Sequence, residues 1–166
     1  DRDSARRLLE SGTGDHLSFM TLWKSNRYFF HGDSYVAYRV SNGIALTLGA
    51  PVGHDISAEF ERFASEQGWA VAWYSVNAQF ADAHPQLKRL QVAEEAVLNC
   101  ESVEFKGKKF QNVRTARNKA EKEGVSTRWT TWEELDIASI ARISALSEDW
   151  VSDKALPEMG FTLGGL

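Results

Sequence analysis

The chain has 166 residues, 43% hydrophobic content and a formal net charge of −4, which suits one domain able to bury a core without staples. Its one cysteine, Cys100, excludes an internal disulfide and a multi-cysteine metal site and makes a reducing cytoplasm the expected compartment. No stretch approaches the roughly 20 apolar residues of a membrane-spanning helix. In chain order, residues 4–11 read as a short helix stopped by Gly12 and Gly14. "RYFF" (27–30) and "SYVAYRV" (34–40), separated by "HGD", signal a hairpin. The Asn-Gly pair in "SNG" (41–43) favours a type I′ turn, so "IALTL" (44–48) should return antiparallel.

"GAPVGHD" (49–55) is a Gly/Pro loop, with Asp55 or Ser57 placed to cap the next helix. In that helix Phe60, Phe63 and Ala64 share one face. Gly68 ends it, and "WAVAWYSV" (69–76) reads as a near-continuous apolar strand at the buried centre of a sheet. Residues 78–90 suggest a short helix broken at Pro85, and "VAEEAVLN" (92–99) a further strand. Cys100 follows the apolar run Ala96, Val97, Leu98 and is expected as a buried small hydrophobe. A three-turn helix ends at Gly124, "VSTRWT" (125–130) reads as a strand, and Thr131 with Glu134 forms a capping box for a final helix over roughly 132–151. The order predicts an α+β (α/β sandwich) fold, a mixed central sheet flanked by helices. The first residues carry neither an initiator Met nor a signal-peptide pattern, and apolar residues still arrive in "EMGFTLGGL". Both ends read as cut from a longer protein.

The chemistry concentrates in "KGKKFQNVRTARNKAEKEG" (106–124). Residues 104–128 hold eight Lys and Arg against three Glu, a surplus of five that leaves about −9 on the rest of the chain. Such separation of charge steers anions. At helical spacing Arg114, Arg117, Asn118 and Glu121 share a face, while Val113, Ala116 and Ala120 form an apolar stripe expected to dock on the sheet. Lys106, Lys108 and Lys109 flank Gly107 just ahead. The plainer reading is a solvated helix in which Arg117 pairs with Glu121. Gly49, Pro51 and Gly53 are loop candidates, with a helix N-terminus behind them that suits an anion, although turn geometry alone also explains them. Glu94 is a candidate cleft carboxylate beside its strand neighbour Glu95. His16, His31, His54 and His84 lack metal-ligand spacing, so no metal is expected. No nucleophile elbow, Walker loop or dinucleotide fingerprint is present.

Several stretches together carry a family pattern: "HLSFMTLWKSNRYFF", "VAYRVSNGIALTLGAPVG", "WYSV", "EEAVLN", "FKGKKFQNVRTARNKAEKEGV" and "WEELDIASIARIS". Their order and spacing resemble the soluble domain of lysylphosphatidylglycerol synthases, the multiple peptide resistance factor family, over residues 14–166. The most specific run is Arg114 to Val125. The resemblance implies a GNAT-like acyltransferase fold related to the Fem peptidoglycan aminoacyltransferases. It implies a first GNAT-like domain at 1–130 and a helix at 131–166 leading into a second GNAT-like half of the same chain. The implied activity moves an aminoacyl group from aminoacyl-tRNA to a hydroxyl of phosphatidylglycerol at the cytoplasmic face of the bacterial membrane, without a cofactor. Arg114, Arg117, Asn118 and Lys119 would then meet tRNA or lipid phosphates, and Lys106, Lys108 and Lys109 would steer them. The acyl-CoA loop of this fold, Gln/Arg-x-x-Gly-x-Gly/Ala, is not matched by "KGKKFQN", which argues against CoA. One departure stands out: the family loop reads Gly-Asp-Pro-x-Gly, and Ala50 replaces the acid here. A Fem-like transferase acting on a peptidoglycan precursor and a non-catalytic tRNA- or phosphate-binding module are the alternatives.

Overall fold

The structure is a computed structural model that describes residues 1–94 and 97–153. These residues fall into two units, before and after the boundary between Leu90 and Gln91. The first unit opens with α1 (Arg2–Leu8), which runs into a wider π-type turn over Leu9–Thr13. Helix α1 thus starts and ends earlier than the expected 4–11, and the chain turns at Gly12 with φ +86°.

A meander follows of β1 (Arg27–His31), β2 (Ser34–Ser41) and β3 (Ile44–Thr47), paired antiparallel in that order. The β2–β3 turn places both Asn42 (φ +50°) and Gly43 (φ +73°) in the left-handed region. That is the pair of dihedrals a type I′ turn demands, so the local Asn-Gly signal sets the register Ser41↔Ile44. After α2 (Ser57–Glu66), β4 (Ala70–Ala72) joins β3 in parallel, giving the sheet order β1-β2-β3-β4. Helix α3 (Ala78–Ala83) is capped by Asn77, whose side chain accepts the Phe80 N–H at 2.9 Å.

The core sits on both faces of this sheet because successive strand residues point to opposite sides. On one face Val36, Tyr38 and Ala45 meet Ile56, Phe60 and Ala64 of the α2 region, with Phe29, Phe63, Trp69, Val71 and Trp73 around them. On the other, Tyr35, Ala37 and Val52 pack on Ala5, flanked by Leu8, Leu22, Tyr28 and Phe30. The Tyr35 and Thr21 hydroxyls satisfy each other inside at 2.7 Å. Phe60 is fully buried, and a side chain of that size contributes roughly 1.5–3 kcal/mol on leaving water.

The doubly covered strand is therefore β2, not the stretch 69–76. Only three residues of that stretch form a strand, at the end of the sheet order among the described residues. Trp69, Val71 and Trp73 share one side and lean on the α2 cluster, so the unbroken apolar run marks one well-packed face rather than two.

The second unit holds α4 (Gln111–Lys122) and α5 (Ile137–Asp153). Two expected strands are absent from it. The described residues of 92–99 are irregular and exposed, and Glu95 and Ala96 lie outside the described residues. Residues 125–130 are likewise irregular, with Trp129 97% exposed. A strand needs a neighbour to take its backbone hydrogen bonds, and neither segment has one among the described residues. Cys100 is exposed, not buried. The Thr131–Glu134 capping box forms as expected, but it caps a single 3₁₀ turn (Trp132–Glu134). Helix α5 starts later, where Asp136 accepts the Ser139 N–H at 2.6 Å. Among the described residues no helix is long and apolar enough to cross a membrane.

Candidate functional site

The basic segment is punctuated at both ends by glycines in left-handed conformations, Gly107 (φ +78°) and Gly124 (φ +76°). Between them run a 3₁₀ turn (Lys108–Phe110) and α4. Beyond the C-cap, the Gly124 N–H reaches Glu121 O at 3.2 Å and the Val125 N–H reaches Ala120 O at 2.9 Å, which closes the helix end. All seven basic-surface candidates therefore lie in one short piece of chain.

Their partners differ. One guanidinium nitrogen of Arg114 donates to both the Phe105 and Gly107 carbonyls at 2.8 Å, clasping the loop onto α4. Arg117 pairs with Glu121 at 3.5 Å and Lys119 with Glu123 at 3.7 Å, all four side chains exposed. Exposed i,i+4 pairs contribute only about 0.3–0.5 kcal/mol, so both cations can be recruited by a stronger anion. Lys106 pairs with Glu104 at 2.9 Å, and Lys109 lies over the Phe110 ring, 5.4 Å from its centre. Asn118 is exposed beside Arg117. In the stripe, Val113 and Ala116 are exposed and Ala120 is half-buried.

The 49–53 loop has a structural explanation. Gly49 (φ +79°) donates to Tyr74 O at 2.8 Å, and Val52 exchanges two backbone hydrogen bonds with Tyr35. At Gly53 (φ +102°) a Cβ would collide with Ser34 Oγ and Asp33 O. Pro51 lies between them, half-buried. Behind this loop the N-terminus of α2 is occupied by the protein's own carboxylate. Asp55 accepts the Ser57 N–H at 3.0 Å and the Ser57 hydroxyl, and its other oxygen lies 3.2 Å from His84 Nε2. Burial pushes the Asp55 carboxyl up, but the Ser57 hydrogen bonds and His84 outweigh it and hold it below its ordinary value. The His84 ring stacks on Phe80 and meets Phe80 O at 2.9 Å through Nδ1.

The adjoining cavity of about 360 Å³ is lined by Asp55, Ser57, Glu59, Glu61 and His84 among others. Its carboxylates repel phosphate. Sequence reading missed the Asp55–His84 contact, because a lone histidine gives no signal of a partner in another element. Glu94 is exposed and accepts from the Gln91 side-chain amide at 3.3 Å. Among the described residues no three His, Cys, Asp or Glu side chains gather to hold a metal ion.

The family described as phosphatidylglycerol lysyltransferase, C-terminal, matches residues 5–166. An uncharacterised protein of Corynebacterium glutamicum is 56% identical over 99% of this chain and 22% of its own length. The lysylphosphatidylglycerol biosynthesis bifunctional protein LysX of Nocardia farcinica is 30% identical over 98% of this chain and 15% of its own. The phosphatidylglycerol lysyltransferase of Staphylococcus xylosus is 27% identical over 95% and 19%. The chain thus spans about a fifth or less of these relatives. In fold it is similar to the structure of L-PGS from Bacillus licheniformis, with TM-score 0.75, 22% identity, and coverage of all of this chain and 55% of that one. A C-terminal domain of a proposed lysylphosphatidylglycerol synthetase from Agrobacterium fabrum superposes with TM-score 0.79 and 16% identity over 99% of this chain and 54% of that one. The fold is α+β and GNAT-like, a mixed sheet with helices.

Proposed function

This chain belongs to the family of the phosphatidylglycerol lysyltransferase C-terminal domain, and on that premise we propose that it forms part of an aminoacyl-tRNA-dependent transferase esterifying a hydroxyl of phosphatidylglycerol. The observation that carries the proposal is the acid-free basic run from Phe105 to Ala120, held in shape by Arg114. The reaction exchanges one ester for another: the acceptor oxygen bonds the aminoacyl carbonyl carbon, the tRNA 3′ oxygen leaves, and the acceptor proton passes to it. No cofactor is needed for that balance. What is needed is alignment of two phosphate-rich substrates and donors for the transient oxyanion. Arg117, Asn118 and Lys119 serve the first need on the open face of α4, with Lys106, Lys108 and Lys109 drawing the anions in.

The oxyanion donors belong to a second GNAT-like half of the same polypeptide, into which residues 131–166 lead. That half covers the apolar residues of α5 that stand open here, Ile137 at 87% and Leu146 at 68% exposed. The assembly works at the cytoplasmic face of the membrane. Ala50, standing where the resemblance puts an acid, favours a second reading, a tRNA- or phosphate-binding module without transfer. A Fem-like peptidoglycan acceptor is the remaining transferase variant. The test incubates the full-length protein with radiolabelled lysyl- or alanyl-tRNA and phosphatidylglycerol vesicles. Label in the lipid phase supports the transferase and names the amino acid. Binding of tRNA without transfer favours the module.

A further inference from the structure

We infer that residues 103–110 form a docking loop for an anionic lipid surface, a role that rests on reading this chain as part of a lipid-modifying transferase. The first ground is charge. From Phe105 to Ala120 there is no Asp or Glu and there are six Lys and Arg, in a chain that is acidic overall. That local sign matches an anionic bilayer.

The second ground is shape. Gly107 turns the chain in a left-handed conformation that a side chain would strain. The Arg114 clasp on the Phe105 and Gly107 carbonyls then fixes that turn against α4. The lysines are carried on an ordered loop, so little entropy is lost when a surface engages them.

The third ground is apolar area in the wrong place for a solvated loop. Val103 is 47% and Phe105 40% exposed, directly beside the lysines. Basic groups around exposed apolar side chains are what binds the boundary between headgroups and acyl chains, with lysine stems lying along it and the ammonium groups at the phosphates. RNA would use the same charges but would stack bases on open ring faces. Here the rings meet edge to face at 5.5 Å and 83°, and Lys109 lies over Phe110.

The test sediments the full chain with phosphatidylglycerol-rich vesicles and, separately, with pure phosphatidylcholine vesicles, in the absence of tRNA. The expected result is partition onto the phosphatidylglycerol-rich vesicles that weakens with salt. Lys108→Ala combined with Lys109→Ala should reduce it by about fivefold for each lysine. Phe105→Ser should reduce it without changing the salt dependence, and circular dichroism establishes that each variant folds; if Phe105→Ser does not, the lysine pair decides. Variants that partition like the wild type overturn the proposal. So does a lysine pair that loses tRNA binding while vesicle partition is unchanged, which makes RNA the occupant. Because no aminoacyl transfer is read, vesicle binding by a protein that transfers nothing supports the docking loop while the transferase reading fails. Transfer to detergent-dispersed lipid without vesicle partition does the reverse.

Discussion

Residues 1–90 and residues 91–153 use the same kinds of apolar side chain and leave them in opposite states. Trp69 and Trp73 press against the α2 cluster, while Trp129 is 97% exposed. Every buried residue of the described chain lies between Ala5 and Phe80. The difference is the sheet: a meander offers two faces, each of which a helix can cover, and burial on one face holds the backbone that the other face uses. Two helices joined by irregular chain have no such common surface. The lesson is that apolar content sets how much can be buried, and partner elements decide whether it is.

The largest test of this contrast is Phe60→Ala. It empties the centre of the α2 cluster and should cost about 3–5 kcal/mol in chemical denaturation. Trp129→Ser should stay within about 0.5 kcal/mol. Equal losses at the two tryptophan- and phenylalanine-rich regions would break the comparison. Next in size is Thr21→Val, which leaves the Tyr35 hydroxyl unpaired inside the core and should cost about 1–3 kcal/mol. Burial already pushes the Tyr35 phenol up and the Thr21 hydrogen bond opposes it, so spectrophotometric titration should find it higher still in the variant.

Asp55→Ala removes the carboxylate at the start of α2 and should cost about 1 kcal/mol near neutral pH. Because the folded-state Asp55 carboxyl lies below its ordinary value of 3.8, its contribution is complete above that value and is lost as the pH falls through the lower folded value. Melting curves of wild type and variant should therefore converge in acid. Curves that keep their separation in acid would mean that the Ser57 hydrogen bonds and His84 do not hold the folded-state carboxyl below its ordinary value.

The smallest stability effect belongs to Arg117→Ala, within about 0.5 kcal/mol because its pair with Glu121 is exposed. In the full-length protein the same change should weaken tRNA or lipid binding and lower the salt slope by about one. Arg114→Ala sharpens the point: hydrogen exchange should rise across 105–110 while global stability holds. A binding loss there would report the loop's shape rather than a phosphate contact.

Local signals were legible in the sequence wherever the physics is local. Asn42-Gly43 fixed the β2–β3 turn because both dihedrals must be positive, and Gly124 ended α4 for the same reason. The Phe60, Phe63, Ala64 face followed from 3.6-residue spacing. The basic candidates were found because charge along one helix is visible without a fold, yet Arg114's role as a clasp was not, since a side chain's choice between a carbonyl and a ligand depends on loop geometry. Strands were expected at 92–99 and 125–130 and none is seen there among the described residues, because pairing is a property of two segments and sequence shows one at a time. The sequence by itself determined the meander, the helices and the basic run, each specified by turn dihedrals, periodicity or charge within a few residues. Only the tertiary structure decided that β2 is the doubly buried strand, that Asp55 meets His84, and that Cys100 and Trp129 stand open, because each depends on what distant segments bring alongside.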